Sequence, residues 1–153
     1  MGRAAGSDGA DRTPLPFSDM DDATSLIHTT MPFCRTLGIT AATFAPNDVT
    51  LRLEWSPDLC TAGGMLHGGA MMTLADAAGA SCAYLNLPTG ATGTATIESK
   101  TNFFGAVTGG TVTATSRPLH AGSSTIVVET ELRDDAGRLI AKATQTQAVL
   151  EPR

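Results

Sequence analysis

TAGGMLHGGAMMTLADAAGASCAYLNL, residues 61–87, is the stretch whose reading decides the fold. A glycine-rich entry leads into a long run without a helix breaker, which Pro88 and Gly90 close. Met71, Leu74, Ala75, Ala78, Cys82 and Leu85 recur at helical spacing and make one apolar stripe. The opposite side, Met72, Asp76, Gly79 and Ala83, is also mostly apolar. The spacing predicts a helix from about Gly69 to Leu85, buried nearly all round. His67, Asp76, Asn86 and the glycines in this stretch suit a buried helix with its entry turn, not a membrane span.

Working outward, LGITAATF and DVTLRLEW read as two strands split by the turn Ala45-Pro46-Asn47-Asp48. Leu51, Leu53 and Trp55 alternate with Arg52 and Glu54, the period of a strand with one face buried. Ahead of them, Ser18 and Asp21 form a capping-box pattern that predicts a short helix through about Thr30. Residues 1–16 are Gly/Ala/Asp/Pro-rich and aperiodic and are expected to be a flexible tail, leaving 17–153 as one domain. After the helix, ATIESKTNFF, GTVTATSRPLH, STIVVETELR and RLIAKATQTQAVL read as four strands rich in Thr and Val. The class is α+β: an antiparallel sheet of about six strands wrapped around one long central helix. A single sheet of this kind leaves open edges and an incompletely covered helix, so at least a dimer is expected.

Bulk properties narrow the function. A chain of 153 residues that is 42% hydrophobic and 16% charged carries one proper core. Its formal net charge of -5 argues against general nucleic-acid binding, which needs a basic face. Cys34, Cys60 and Cys82 form no C-x-x-C pair, and His28, His67 and His120 lack metal-ligand spacing, so no metal site is expected. The N-terminal segment has no apolar signal region, which points to a cytoplasmic protein without membrane partners. There is no G-x-S-x-G elbow, phosphate-binding loop or dinucleotide fingerprint, and no resident cofactor is expected.

Chemistry concentrates at two points. Asp76 is the only charged residue in the predicted helix, about two turns from its start, with the small residues Thr73, Gly79 and Ala80 beside it. A desolvated carboxylate is costly unless paired, so its presence asks for a reason. Three readings are open: a functional acid, the cap of a shorter helix starting at Ala77, or an acid bonded to a neighbouring strand for structure alone. The second point is His67-Gly68-Gly69 at the helix entrance. First-turn N–H groups lack intrahelical partners, and glycine lets a ligand approach them, a suitable cradle for a carbonyl oxygen gaining charge. His67 is open to two roles, catalysis or holding the loop.

These residues carry a resemblance. LCTAGGMLHGGAMMTLADAAGA, then the TIESKTNFF and GRLIAKATQTQAVL strands, resembles the hotdog-fold acyl-CoA thioesterases of the PaaI-like (phenylacetate-degradation) branch. Its specific part is H-G-G with an acid seven positions after the second glycine. The resemblance implies hydrolysis of an acyl- or aryl-CoA thioester to a carboxylate and free CoA. Asp76 would be nucleophile or general base, the Gly68 N–H would polarise the carbonyl, His67 would support the turn and Thr96 would help hold the water. Read from the residues themselves, Gly69 in the turn, Gly79 beside Asp76 and Ser123 in the loop 120–124, which is otherwise a plain hairpin turn, are the candidate contacts to the substrate, whose CoA moiety enters as part of it. The family also implies a site shared between two subunits, in a homodimer or a homotetramer built as a dimer of dimers. One departure stands out: six residues before the histidine, where Asn or Gln is usual, this chain has Thr61. That leaves open a protein which binds acyl-CoA without hydrolysing it, in a sensing role. Met and Ala residues with Phe103 and Phe104 are expected to line the acyl pocket, and Lys100, Arg117 and Lys142 are candidates for the CoA phosphate.

Overall fold

Residues that alternate in sequence alternate in burial, and this sets the sheet. In the computed structural model, which describes residues 20–152, helices α1 (Met20–Thr30) and α2 (Pro32–Leu37) precede strands β1 (Thr40–Ala45) and β2 (Asp48–Glu54). Helix α3 (Gly68–Leu85) follows, and then β3 (Gly93–Phe103), β4 (Thr111–Ala121), β5 (Thr125–Arg133) and β6 (Leu139–Leu150). The tail expected over 1–16 and the capping residue Ser18 lie outside the described residues. All pairings are antiparallel, in the order β1-β2-β4-β5-β6-β3.

Val49, Leu51 and Leu53 on β2, Val112 and Ala114 on β4, and Ile126, Val128 and Leu132 on β5 all turn inward and are fully buried. Leu74, Ala78 and Cys82 of α3 meet them, so the sheet wraps the helix. Burying a large aliphatic side chain stabilises by about 1.5–3 kcal/mol, and the run of alanines on α3 lets the helix approach the sheet closely. This is the expected α+β hotdog architecture.

Three features depart from the sequence reading. First, Pro32–Leu37 is a short helix, which takes Leu37 out of the strand expected over LGITAATF. Proline at its first position starts it, and Gly38 at φ 74° ends it in the left-handed conformation, so β1 begins only at Thr40. Second, β3 does not neighbour β4, its successor in the chain. It pairs with β6 and forms one edge of the sheet, with a bulge that sets Ile97 outside the register. Third, α3 is not buried all round: Met72, Asp76 and Tyr84 are exposed in the single chain. Their flank has no cover because β3 ends the sheet beside it. Among the described residues no helix is long and apolar enough to cross a membrane, and no cluster of metal-ligating side chains forms.

Candidate active site

A web of short bonds fixes the entrance of α3. The Trp55 indole N–H donates to the Gly64 carbonyl at 3.1 Å, Cys60 and Leu66 form an isolated bridge, and the Leu66 N–H reaches Val107 O at 2.8 Å. The His67 N–H is held by Leu59 O at 2.8 Å. His67 is then the N-cap, and its Nδ1 accepts the Gly69 N–H at 2.8 Å. The imidazole therefore accepts within the turn and occupies the Gly69 donor. Ala70 and Met71 donate to His67 O. The Gly68 N–H is left with no acceptor among the described residues, at the positive end of an 18-residue helix. The Phe103 ring lies over Gly68, 3.4 Å from the place a side chain there would begin.

Asp76 belongs to the middle of α3. Its expected burial is corrected: the residue is exposed on the open flank of the helix. Its carboxylate nevertheless turns toward the sheet, where Gln145 Nε2 of β6 donates to Oδ1 at 2.5 Å. Desolvation on that side raises the Asp76 pKa above the ordinary Asp value, and the Gln145 hydrogen bond opposes it with a smaller effect. Gln145 is itself fully buried. Gly79, expected to leave room for a ligand, is buried, and the space beside it is taken by the Gln145 amide.

A second amide repeats the pattern one step along β6. Buried Gln147 donates through Nε2 to Thr96 Oγ1 at 2.9 Å, so Thr96 sits beside the acid's strand partner with its hydroxyl oxygen already engaged. The sequence reading did not single out either glutamine. Their only signal was a polar residue at an inward position of a strand, Gln145 and Gln147 in phase with Ala141 and Ala143.

The remaining expected residues lie elsewhere. Thr61 is exposed, and its N–H closes a turn onto Met65 O at 2.8 Å. Ser123 is exposed in the β4–β5 turn. Arg117 is paired with Asp48 at 2.9 Å and Lys142 with Glu129 at 2.9 Å, which leaves Lys100 as the unpaired cation of the three. The two buried thiols, Cys34 and Cys82, are not competing nucleophiles. Burial, and then the charge of Asp76, raise the pKa of Cys34, and burial pushes Cys82 up to about 11.

Beyond Asp76 an apolar cavity of about 350 Å³ opens between α1, α3 and β1. Leu26, Ile27, Met31, Phe44, Ala80 and Tyr84 line it. Phe103 and Phe104, expected in an acyl pocket, are not among its walls, because α1 closes over this end of α3 and the end of β3 lies near Gly68 instead. A second cleft of about 530 Å³ lies at the other end of α3, between α2 and the turn, lined by Phe33, Leu59, Cys60, His67 and Thr73.

The sequence profile of the thioesterase superfamily matches residues 63–141, which takes in the turn, the acid and most of the sheet. The chain belongs to that superfamily. Its relatives include VC_A0580 of Vibrio cholerae, 38% identical over 90 residues that make up 59% of each chain. Another, from Escherichia coli, is named 1,4-dihydroxy-2-naphthoyl-CoA hydrolase and is 34% identical over 87 residues, 57% of this chain and 63% of that protein. The chain thus spans about three-fifths of the length of these two relatives. A solved structure of a thioesterase from Pseudomonas aeruginosa superposes with a TM-score of 0.76 at 27% identity, covering 83% of this chain and 93% of that one. The hotdog architecture of the thioesterase superfamily is thus common to this chain and its structural neighbours.

Proposed function

We propose that the protein is an acyl-CoA thioesterase in which Asp76 activates or delivers the nucleophile and the Gly68 N–H receives the developing oxyanion. One observation carries this reading: a carboxylate with raised pKa stands one helical turn from the wall of an apolar cavity, on a helix whose first N–H is unpaired. Ala80, on the cavity wall, is one helical turn beyond Asp76. An acyl group seated there presents its thioester carbon to the carboxylate. Hydrolysis then yields a carboxylate and free CoA.

The two reacting elements of one chain are too far apart to serve one thioester. Eight residues of helix separate Gly68 from Asp76, about 12 Å along the axis, whereas attack needs about 3–3.5 Å. A second copy must therefore supply the missing half. Its docking surface is the open flank: Ile97 and Phe104 are 63% and 57% exposed on and just beyond edge strand β3, and Met72 and Tyr84 are exposed on α3. Pairing two such edges covers apolar surface that a lone chain leaves in water. It also brings each Asp76 toward the partner's turn.

The test is CoA release from a panel of short, medium, long and aromatic acyl-CoAs, with Asp76→Ala run alongside. Turnover of some member that falls by about 10²- to 10⁴-fold in the variant supports the reading. Retained turnover removes Asp76 from the mechanism. Acyl-CoA binding with no turnover makes the protein a binding module instead.

A further inference from the structure

Gln145 sits where a stable fold has little use for it. It is 1% exposed, at an inward position of β6 flanked by Ala143 and Gln147, and one end of its amide is unsatisfied. Nε2 donates to Asp76, while Oε1 has no partner and is shut off from solvent. An apolar residue of the same shape avoids that orphaned oxygen. Turning the amide over gives no relief, because Oε1 then faces an ionised carboxylate oxygen.

The helix is cut to fit this amide. A Cβ at Gly79 would overlap Gln145 Oε1 outright and stand 3.1 Å from Val128 Cγ2. Glycine in the interior of a helix costs stability relative to alanine. Two unfavourable features, a helical glycine and an unpaired buried oxygen, are thus kept together, and their joint product is one hydrogen bond to Asp76.

We infer that Gln145 is a positioning residue for Asp76: it pins Oδ1 and thereby leaves Oδ2 as the oxygen that meets the thioester or the attacking water. Gly79 is the residue that makes this possible. The inference rests on the thioesterase reading for its catalytic meaning, but the contact itself does not. The surroundings favour a single controlling partner. Strand residues that face α3 here are neutral: Ala143, Gln145 and Gln147 on β6, and their pairs Thr101, Ser99 and Thr96 on β3. Glu98, Lys100 and Lys142 point to the other face, where Lys142 pairs with Glu129 and Glu131. On α2, Cys34 feels the charge of Asp76, and its own raised pKa keeps it a neutral thiol.

The experiment has two readouts, taken on the full-length protein. The Asp76 carboxyl carbon is titrated by NMR in the wild type, in Gln145→Met and in Gln145→Glu, and the pH profile of acyl-CoA hydrolysis is recorded for the same three. Loss of a donor that favours the ionised form moves the Asp76 titration to higher pH. The acid limb of the activity profile follows it. kcat falls by roughly ten-fold, the worth of a hydrogen bond to a charged group, while KM stays close to that of the wild type. Gln145→Glu keeps the shape of the side chain, so it carries the test if Gln145→Met does not fold, and it shifts the titration in the same direction. Gly79→Ala is expected to reproduce the effect. An Asp76 titration that stays in place in the substituted proteins overturns the inference, as does a fall in activity with an unmoved acid limb. Absence of hydrolysis in the wild type refutes the proposed function alone, since the carboxyl titration still reads the contact.

Discussion

β3 and β5 are strands of one sheet with opposite fates. β5 alternates half-buried and buried residues from Thr125 to Leu132, its inward side chains Ile126, Val128, Thr130 and Leu132 all closed off. β3 is longer, yet six successive residues from Ala95 to Lys100 are exposed. The contrast shows that strand formation and strand burial are separate matters. Pairing along β6 satisfies the backbone of β3 on one side, whereas its side chains and its free edge are left for another surface.

That contrast is open to attack at four points, in falling order of effect. Leu132→Ala on β5 empties fully closed space and is expected to destabilise the chain by about 2–5 kcal/mol in a denaturant melt. Thr130→Val comes next. The Thr130 and Ser116 hydroxyls bond to each other at 2.5 Å in the core, and stranding one of them costs about 1–3 kcal/mol. Ile97→Lys on β3 is expected to leave the circular-dichroism spectrum of the chain unchanged while light scattering reports loss of the proposed dimer and the proposed CoA release falls with it. A variant that stays dimeric with full activity moves the interface away from β3.

The smallest effect is the most telling in sign. Asp76 has a raised pKa, so its ionised form is less favourable in the folded chain than in the unfolded one. Below the ordinary carboxylate range the residue carries no such penalty. As pH rises from there through the raised value, the penalty grows to its full size. Asp76→Asn should therefore gain thermal stability relative to the wild type at neutral pH, and the gain should vanish in acid. A constant difference across that range contradicts the desolvation account. On the proposed mechanism the same variant should lose hydrolysis, so that Asp76 would be kept against stability.

Much of this was legible in the chain. α3 was expected within one residue of its observed start, because helical spacing over so long a run admits no other period. The four C-terminal strands were also expected, each from its β-branched residues and flanking turns. What the sequence withheld was relational. Nothing local tells β3 to pair with β6 instead of its neighbours in order, so an incompletely covered helix was expected but not which side stays open, nor that Asp76 lies on it. Gln145 escaped for the same reason: a glutamine on a strand means little until the helix it faces is known to carry Asp76 and a glycine. The turn at His67 was legible because its geometry is set within a few residues by a cap and a helix start.

The pairing of β3 with β6 has a consequence for when this protein becomes itself. Gly93 lies opposite Leu150 and Phe103 opposite Ala141, so every rung of that ladder joins residues far apart in the chain. During synthesis β3 leaves the ribosome before the strand that will hold it, and it waits while β4 and β5 form their own local hairpin. Only when β6 emerges does the edge acquire its shape. In the proposed dimer, two copies would thus have no finished edge by which to pair until the sheet of each is complete.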